Sequence, residues 1–526
     1  MKKDFDTFGY IIVRGLLSSA EVEHIIRNIQ DANYEEHTYG VADGEGKEAH
    51  IILWNHPGND TTGMLCRSEK VAGTCEQLLG GEVYHYHSKL MKKPPKIGGK
   101  HIWHQDYGYW YKNGCLKPDM MTVFIAIDDC KRENGCLQIL ESSHKCGRIE
   151  HTLVAGQTGA DMERVQQIWD NNFPHKFVEL NSGDALFFHC NLLHSSSENT
   201  SDKRRWALLC AYNRADNNPI QEHHHPKYTP LQKVADSAIL ECTSLDVTGK
   251  DFAELEKDKT SVATKPYTTF CTGEYMFADG FKITNEILQD FDKLGYILLD
   301  DGKGGKAHQI TWNHPGNDVT GMVARCRKIV ETCEKLLGGE IYHYHSKLMC
   351  KPPEIGGRHI WHQDYGYWYG NGCLFPDMMT VFIAVDDCTK VNGCLQILEG
   401  SHKCGRVDHK MVAGQTGADE ERVKYISSVC PHKYVEMNSG DALFFHCNLL
   451  HCSSDNSSDK RRWALLSAYN RASNDPVKDH HHPRYTPLIK VDDSEILNCQ
   501  NFMDVSGKDF LDMENTAGVK AERVFN

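Results

Sequence analysis

The chain has 526 residues, too many for one ordinary core, and its 40% hydrophobic and 25% charged content is that of a water-soluble globular protein. A net charge of −14 argues against a nucleic-acid partner, which calls for a basic face. No apolar run is long enough for a membrane span, and Asp4 and Asp6 interrupt the N-terminus where a secretory signal would be apolar. The 21 cysteines form no CxxC pair, so they read as buried free thiols in a reducing, cytoplasmic setting.

In chain order, YIIVRG predicts a strand and SSAEVEHIIRNIQ a helix with Ser19 as its N-cap. CEQLLGG predicts a helix end stopped by glycine. EVYHYHSKLM, HIWHQDYGYW, MTVFIAID, CLQIL, KFVEL, DALFFH and RRWALLCAYN follow as β-branched and aromatic runs between turn residues, with ADMERVQQIWD as a short helix. This pattern predicts a mainly β fold with flanking helices, a jelly roll.

The whole pattern then repeats. WNHPGND stands at 54–60 and 312–318, HIWHQDYGYWY at 101–111 and 359–369, and NGCLQILE at 134–141 and 392–399. GDALFFHCNLLH stands at 183–194 and 440–451, and KRRWALL at 203–209 and 460–466. The chain therefore reads as two copies of one domain, 1–258 and 259–526, joined in the charged stretch EKDKTSVATK. The copies diverge most at their starts, where DFDTFGYIIVRGLL faces KPYTTFCTGEYMF.

Each copy holds a His-x-Asp triplet, His104 with Asp106 and His362 with Asp364. On a strand, residues two apart share a face, so an imidazole and a carboxylate stand side by side. A second His from a downstream strand would complete a facial triad for non-heme Fe(II). His189 and His194 are the candidates in the first copy, His446 and His451 in the second. Arg205 and Arg462 each follow the later His by eleven residues, and a guanidinium suits a dicarboxylate. Their neighbours Arg204 and Arg461 would point outward, since adjacent strand residues cannot both face in.

With these residues in hand, the chain resembles the phytanoyl-CoA dioxygenase (PhyH)-like family of Fe(II)/2-oxoglutarate oxygenases over nearly all of both copies. WHQD, NGCLQILEGSH, GDALFFHCNLLHSS and the trailing Arg carry the likeness. The resemblance implies two double-stranded β-helix (cupin-like) domains in tandem. It implies Fe(II) on His104, Asp106 and His194, and on His362, Asp364 and His451. It implies 2-oxoglutarate on Arg205 and Ser196, and on Arg462 and Ser453. The implied reaction consumes 2-oxoglutarate and O2, hydroxylates an aliphatic C–H, and releases succinate and CO2. Both carboxylates are kept, which implies hydroxylation rather than halogenation. The tandem duplication departs from a family of mostly single-domain members.

The resemblance leans toward small-molecule hydroxylases, including those acting on 2-aminoethylphosphonate-type zwitterions, so a small-molecule substrate is expected. The residues offered for it are His87, Lys89, Tyr107, Tyr109 and Trp110, with His345, Lys347, Tyr365, Tyr367 and Trp368 in the second copy. Strand alternation would set Asp106, Gly108 and Trp110 on one face and Tyr107, Tyr109 and Tyr111 on the other, where the rings either pack the core between the two sheets, the favoured reading, or form an aromatic wall for a cation. His85, Asn55, His56 and Asn59 could receive an anionic group, although NHPGND is also a turn signature. The His triplets at 223–225 and 480–482 read as a lid or packing segment rather than a second metal site. The alternatives are a non-catalytic or single-active-lobe binding protein on the same barrel, and a fatty acyl-CoA hydroxylase, for which no long groove or basic rim is evident. A zinc hydrolase lacks its HExxH.

Overall fold

The computed structural model describes residues 1–154, 157–253, 297–300, 306–412, 415–502 and 504–511. They fall in two compact units, Met1–Phe270 and Cys271–Asn526. The predicted junction at 258/259 and the segment KPYTTFCTGEYMF lie outside the described residues.

The first unit contains β1 (Tyr10–Val13), β2 (Tyr39–Ala42), β3 (Glu48–Asn55), β4 (Val83–Lys93), β5 (His101–His104), β6 (Met120–Ala126) and β7 (Leu137–Leu140). A small hairpin of β8 (His151–Val154) and β9 (Gln157–Ala160) precedes β10 (His175–Val178), β11 (Ala185–His189), β12 (His194–Ser196), β13 (Arg205–Arg214) and β14 (Asp251–Phe252). The major sheet runs β1-β11-β6-β13-β4-β3-β14, with β2 also on β3, and the minor sheet runs β10-β7-β12-β5. All these pairs are antiparallel, and two such facing sheets make the jelly roll.

Alternation divides the major sheet's side chains into two cores. Ile52, Leu90, Val123 and Leu208 point to the outer face, where they pack with Ile25 and Ile29 of α2 (Ser19–Asp31), following α1 (Lys2–Phe8). Leu65 of α3 (Thr61–Arg67) and Leu78 of α4 (Thr74–Leu79) complete that layer. The adjacent residues Ile51, Met91, Phe124 and Leu209 point inward and meet Ile139 and Val178 of the minor sheet. Each such large side chain, once buried, contributes about 1.5–3 kcal/mol. The N-cap of α2 is Ser18, not Ser19: its side chain accepts from the Glu21 amide while Glu21 reaches back, a capping box shifted by one residue.

The second unit repeats the plan with β15 (Ile297–Asp300), β16 (Lys306–Asn313), β17 (Ile341–Lys351), β18 (His359–His362), β19 (Met378–Ala384) and β20 (Leu395–Leu398). It continues through β21 (His409–Val412), β22 (Gln415–Ala418), β23 (His432–Val435), β24 (Ala442–His446), β25 (His451–Ser453), β26 (Arg462–Arg471) and β27 (Asp509–Phe510). Its sheets run β15-β16-β17-β26-β19-β24, with β27 on β16, and β18-β25-β20-β23. The architecture is thus mainly β with flanking helices, two jelly-roll domains in tandem.

One predicted strand is too long. HIWHQDYGYW is extended only through His104; Asp106–Trp110 form a short helix, α5, and α6 (Met162–Asp170) follows where ADMERVQQIWD was read as helical. The change of geometry has a tertiary cause. His151 packs so closely on Gly108 that a Cβ there would lie 2.4 Å from its ring, and its Nε2 receives the Gln105 amide at 2.9 Å.

Candidate metal and co-substrate site

The minor sheet brings the triad together. β12 lies against β5 with His194 directly opposite His104, their rings 4.1 Å apart. Asp106, at the first turn of α5, swings its carboxylate to the same point, with Oδ1 3.9 Å from His194 Nε2. One ligand atom from each of the three lies within 4.8 Å of the others. His362, Asp364 and His451 form the same group. Their imidazoles are 4.1 Å apart, and His451 Nε2 is 3.8 Å from Asp364 Oδ1.

Both imidazoles are oriented by their own strands. Nδ1 of His104 sits 2.8 Å from the Ile102 carbonyl and Nδ1 of His194 sits 2.9 Å from the Leu192 carbonyl. A carbonyl only accepts, so Nδ1–H donates and the Nε2 lone pair is left for a metal. His362 and His451 are held likewise by Ile360 and Leu449. Thr122 Oγ donates to Asp106 Oδ2 at 2.6 Å, and Thr380 does the same for Asp364. Burial pushes His104 down to about 3, with the neighbouring His194 charge acting the same way. Burial alone would raise Asp106, but His194, Lys89 and His104 together with the Thr122 hydroxyl hold it below the usual carboxylate value. Neutral imidazoles beside an ionised carboxylate are the protonation states that bind a hard divalent cation. His189 is not part of this group; it lies against His144 and Phe5.

Beyond the triad, the barrel interior collects cations. Arg205 is buried, with Nη2 donating to the Gly135 carbonyl at 2.7 Å, while Nε and Nη1 have no hydrogen-bond partner among the described residues. Arg462 repeats this on the Gly393 carbonyl at 2.6 Å. A fully buried guanidinium edge with two unanswered N–H groups is a carboxylate site by shape and charge. Arg204 and Arg461 turn outward, as alternation predicts, to Asp128 and Asp386, each at 3.2 Å. Ser196 Oγ accepts from Lys93 Nζ at 2.8 Å, and Lys93 is the register partner of Arg205. Burial and the Arg205 charge together hold the Lys93 ammonium well below its ordinary value. The sequence reading missed Lys93 and Lys351, and also the half-buried His101 and His359, each with one buried ring nitrogen that has no hydrogen-bond partner among the described residues. These residues fit iron and 2-oxoglutarate: three ligand atoms for the metal, and an unpaired guanidinium edge among cations for a dicarboxylate.

The proposed substrate residues scatter more than alternation foresaw. Tyr107 and Tyr365 lie in an aromatic core, donating to the Cys115 and Cys373 carbonyls at 3.1 Å. Tyr111 lies under the Arg148 guanidinium. Tyr109 stays beside the triad, its ring edge-on to His104 at 6.0 Å and its hydroxyl on the Thr158 carbonyl at 3.0 Å; Tyr367 matches it. Trp110 and Trp368 abut His87 and His345 at 5.8 Å. Of the three tyrosines only Tyr109 stays beside the triad, while Trp110 joins Tyr107 and Tyr111 in the buried aromatic cluster.

The His triplets also find a place. His225 stacks on His87 at 4.5 Å, and His482 on His345 at the same distance. His225 Nδ1 meets Asn55 Oδ1 at 2.8 Å, while Asn55 Nδ2 donates to the His224 carbonyl at 2.6 Å. His482, Asn313 and His481 repeat the arrangement. Asn55 thus anchors the triplet, the adjacent His56 takes the left-handed turn conformation (φ 55), and Asn59 is exposed. Among the described residues only the two triads group as possible metal ligands.

Residues 5–207 and 300–464 match the Phytanoyl-CoA dioxygenase (PhyH) family, more than half of the chain. The L-proline trans-4-hydroxylase of Streptomyces griseoviridis is 30% identical over 244 residues, 44% of this chain and 90% of that one. The ectoine dioxygenase of Streptomyces avermitilis is 26% identical over 43% of this chain and 82% of its own length. The crystal structure of EctD from S. alaskensis with 2-oxoglutarate and 5-hydroxyectoine aligns at a TM-score of 0.39 and 20% identity, covering 44% of this chain and 86% of that one. Each relative is thus about the length of one copy. The chain belongs to the phytanoyl-CoA dioxygenase (PhyH) family and is a 2-oxoglutarate-dependent non-heme iron dioxygenase that hydroxylates small molecules.

Proposed function

We propose that both copies, 1–258 and 259–526, are working hydroxylase domains, each with its own iron. His104, Asp106 and His194 hold one Fe(II), and His362, Asp364 and His451 the other. Arg205 with Ser196, and Arg462 with Ser453, receive the distal carboxylate of 2-oxoglutarate, with Lys93 and Lys351 beside them. The observation that carries this reading is the guanidinium edge left unpaired in the interior of both copies. Iron with 2-oxoglutarate and O2 supplies the oxidising chemistry that converts a C–H to a C–OH, releasing succinate and CO2.

The chain's own residues do the rest. The Ile102 and Leu192 carbonyls aim both imidazoles, and Thr122 fixes one carboxylate oxygen so that the other faces the metal. The interior apolar cluster of Phe124, Ala207 and Leu209 keeps bulk water from the reacting centre. The substrate enters beside His87, Lys89, Tyr109 and Trp110, or His345, Lys347, Tyr367 and Trp368. A small zwitterion fits these groups: its anionic end toward Lys89 and the imidazoles, its cationic end toward the Tyr109 and Trp110 rings. The proline and ectoine named for relatives are small zwitterions, and the hypophosphite named for another is a small anion. The described cysteines are free thiols, most of them buried, in keeping with a cytoplasmic setting.

The test is Asp106→Ala and Asp364→Ala, made singly and together. Each single variant should bind about one iron per chain where the parent binds two, and each should retain succinate production with a responsive amino acid or ectoine. One variant losing all activity while the other loses none would reject two live sites.

A further inference from the structure

The interior walls of the two domains can be compared position by position. β4 and β17 carry the same inward series: His87, Lys89, Met91 and Lys93 against His345, Lys347, Met349 and Lys351. Phe124, Ala207 and Leu209 recur as Phe382, Ala464 and Leu466. Trp110 and the stacked His225 recur as Trp368 and His482.

The neighbouring strand breaks the match. In the first domain β3 sets Ile51 opposite Met91 and Leu53 opposite Lys89. In the second, β16 sets Gln309 opposite Met349 and Thr311 opposite Lys347. Cross-strand partners share a face about 5 Å apart. Position 53 or 311 is therefore one strand away from a lysine whose charge acts on the triad aspartate. Ile51 and Leu53 pack into the apolar interior cluster. Gln309 Nε2 donates to Thr311 Oγ1 at 2.7 Å, which leaves the threonine O–H and the Gln309 carbonyl oxygen to offer a ligand. The same lysine thus has a hydrocarbon neighbour in one domain and a donor–acceptor pair in the other.

We propose that the two domains, each taken as the live hydroxylase site argued above, select different substrates at this wall. The first takes a compound that presents hydrocarbon to β3. The second takes one that carries a hydroxyl or amide there, a class that includes compounds already hydroxylated once. The discrimination is asymmetric. An apolar wall rejects an added hydroxyl by only about 100-fold, whereas a wall built to hydrogen-bond one can reject the compound lacking it by about 10,000-fold.

The experiment uses the full chain with one site silenced. Asp364→Ala leaves the first domain live and Asp106→Ala the second. Each is given L-proline, trans-4-hydroxy-L-proline, ectoine and 5-hydroxyectoine. Succinate release is measured, and binding is measured by calorimetry with Mn(II) and 2-oxoglutarate loaded. The preference for the hydroxylated over the parent compound should be at least about tenfold higher in the Asp106→Ala chain. Gln309→Ile with Thr311→Leu should bring that ratio to the first domain's value, with the KM for 2-oxoglutarate unchanged. Equal ratios in the two chains overturn the proposal. So does a wall exchange that moves the 2-oxoglutarate KM but not the ratio, and so does neither chain binding or turning over any of the four compounds. One iron bound per variant chain checks the underlying two-site reading separately.

Discussion

Arg205 is the residue whose environment makes the sharpest demand. It is buried, it spends one nitrogen on a backbone carbonyl, and two more N–H groups await a partner. Lysine at this position keeps a charge but offers a point donor rather than a planar fork. Losing one charge-assisted hydrogen bond, about 1.5–3 kcal/mol, predicts a rise of roughly 10- to 100-fold in the 2-oxoglutarate KM for Arg205→Lys. The effect is read from succinate at varied 2-oxoglutarate in an Asp364→Ala background; an unchanged KM would remove Arg205 from that role. This arginine was legible because it trails a repeated His by eleven residues in both copies. Lys93 was not. In the run MKKPP two adjacent lysines read as solvated charge, yet alternation sends Lys92 out to Glu35 and Lys93 in to Ser196. The series His87, Lys89, Met91, Lys93 held that signal in its period of two.

At the level of elements, the triad depends on a strand giving way to a helix between His104 and Asp106. Five residues are too few for either periodicity to declare itself, so DYGYW reads as more strand. What decides it is tertiary: His151 occupies the space that a side chain at Gly108 would need. Asp106 then leaves the strand, and Thr122 on β6 restores its aim through a 2.6 Å hydrogen bond. Groups that orient ligands are worth roughly 10- to 100-fold in metal affinity. Thr122→Val should weaken iron binding by about that factor while Thr380, in its own site, is unaffected. Competitive chelator titration of the two sites checks this, and equal loss at both would contradict it. The downstream ligand strand was the harder element to see, since β12 is three residues long and is set by pairing with β5 and β7 rather than by any pattern of its own.

For the whole molecule, the duplication was plain in sequence because whole motifs recur 258 residues apart, and 257 apart from GDALFFH onward, and it carries with it the jelly-roll order of both halves. What the pattern could not indicate was how many imidazoles each barrel buries in neutral form. Burial, with the His144 charge adding to it, lowers His189 to about 3; burial lowers His144 to about 4 and, with His402 nearby, His446 to about 4. All three lie outside the triads. In the unfolded chain the same groups take up protons near 6.5. Between that value and about 4 the unfolded state therefore binds more protons than the folded one, and stability must fall as the pH falls. The contribution is complete above about pH 6.5 and is lost progressively on acidification, by at most about 1.4 kcal/mol per pH unit for each such group. Thermal melts of the metal-free protein from pH 7.5 down to 4.5 should show a steadily declining Tm in both domains. His189→Phe and His446→Phe remove the proton uptake from the unfolded state, so each should flatten the decline in its own domain. A Tm that stays level across this range would mean that these imidazoles titrate alike in both states.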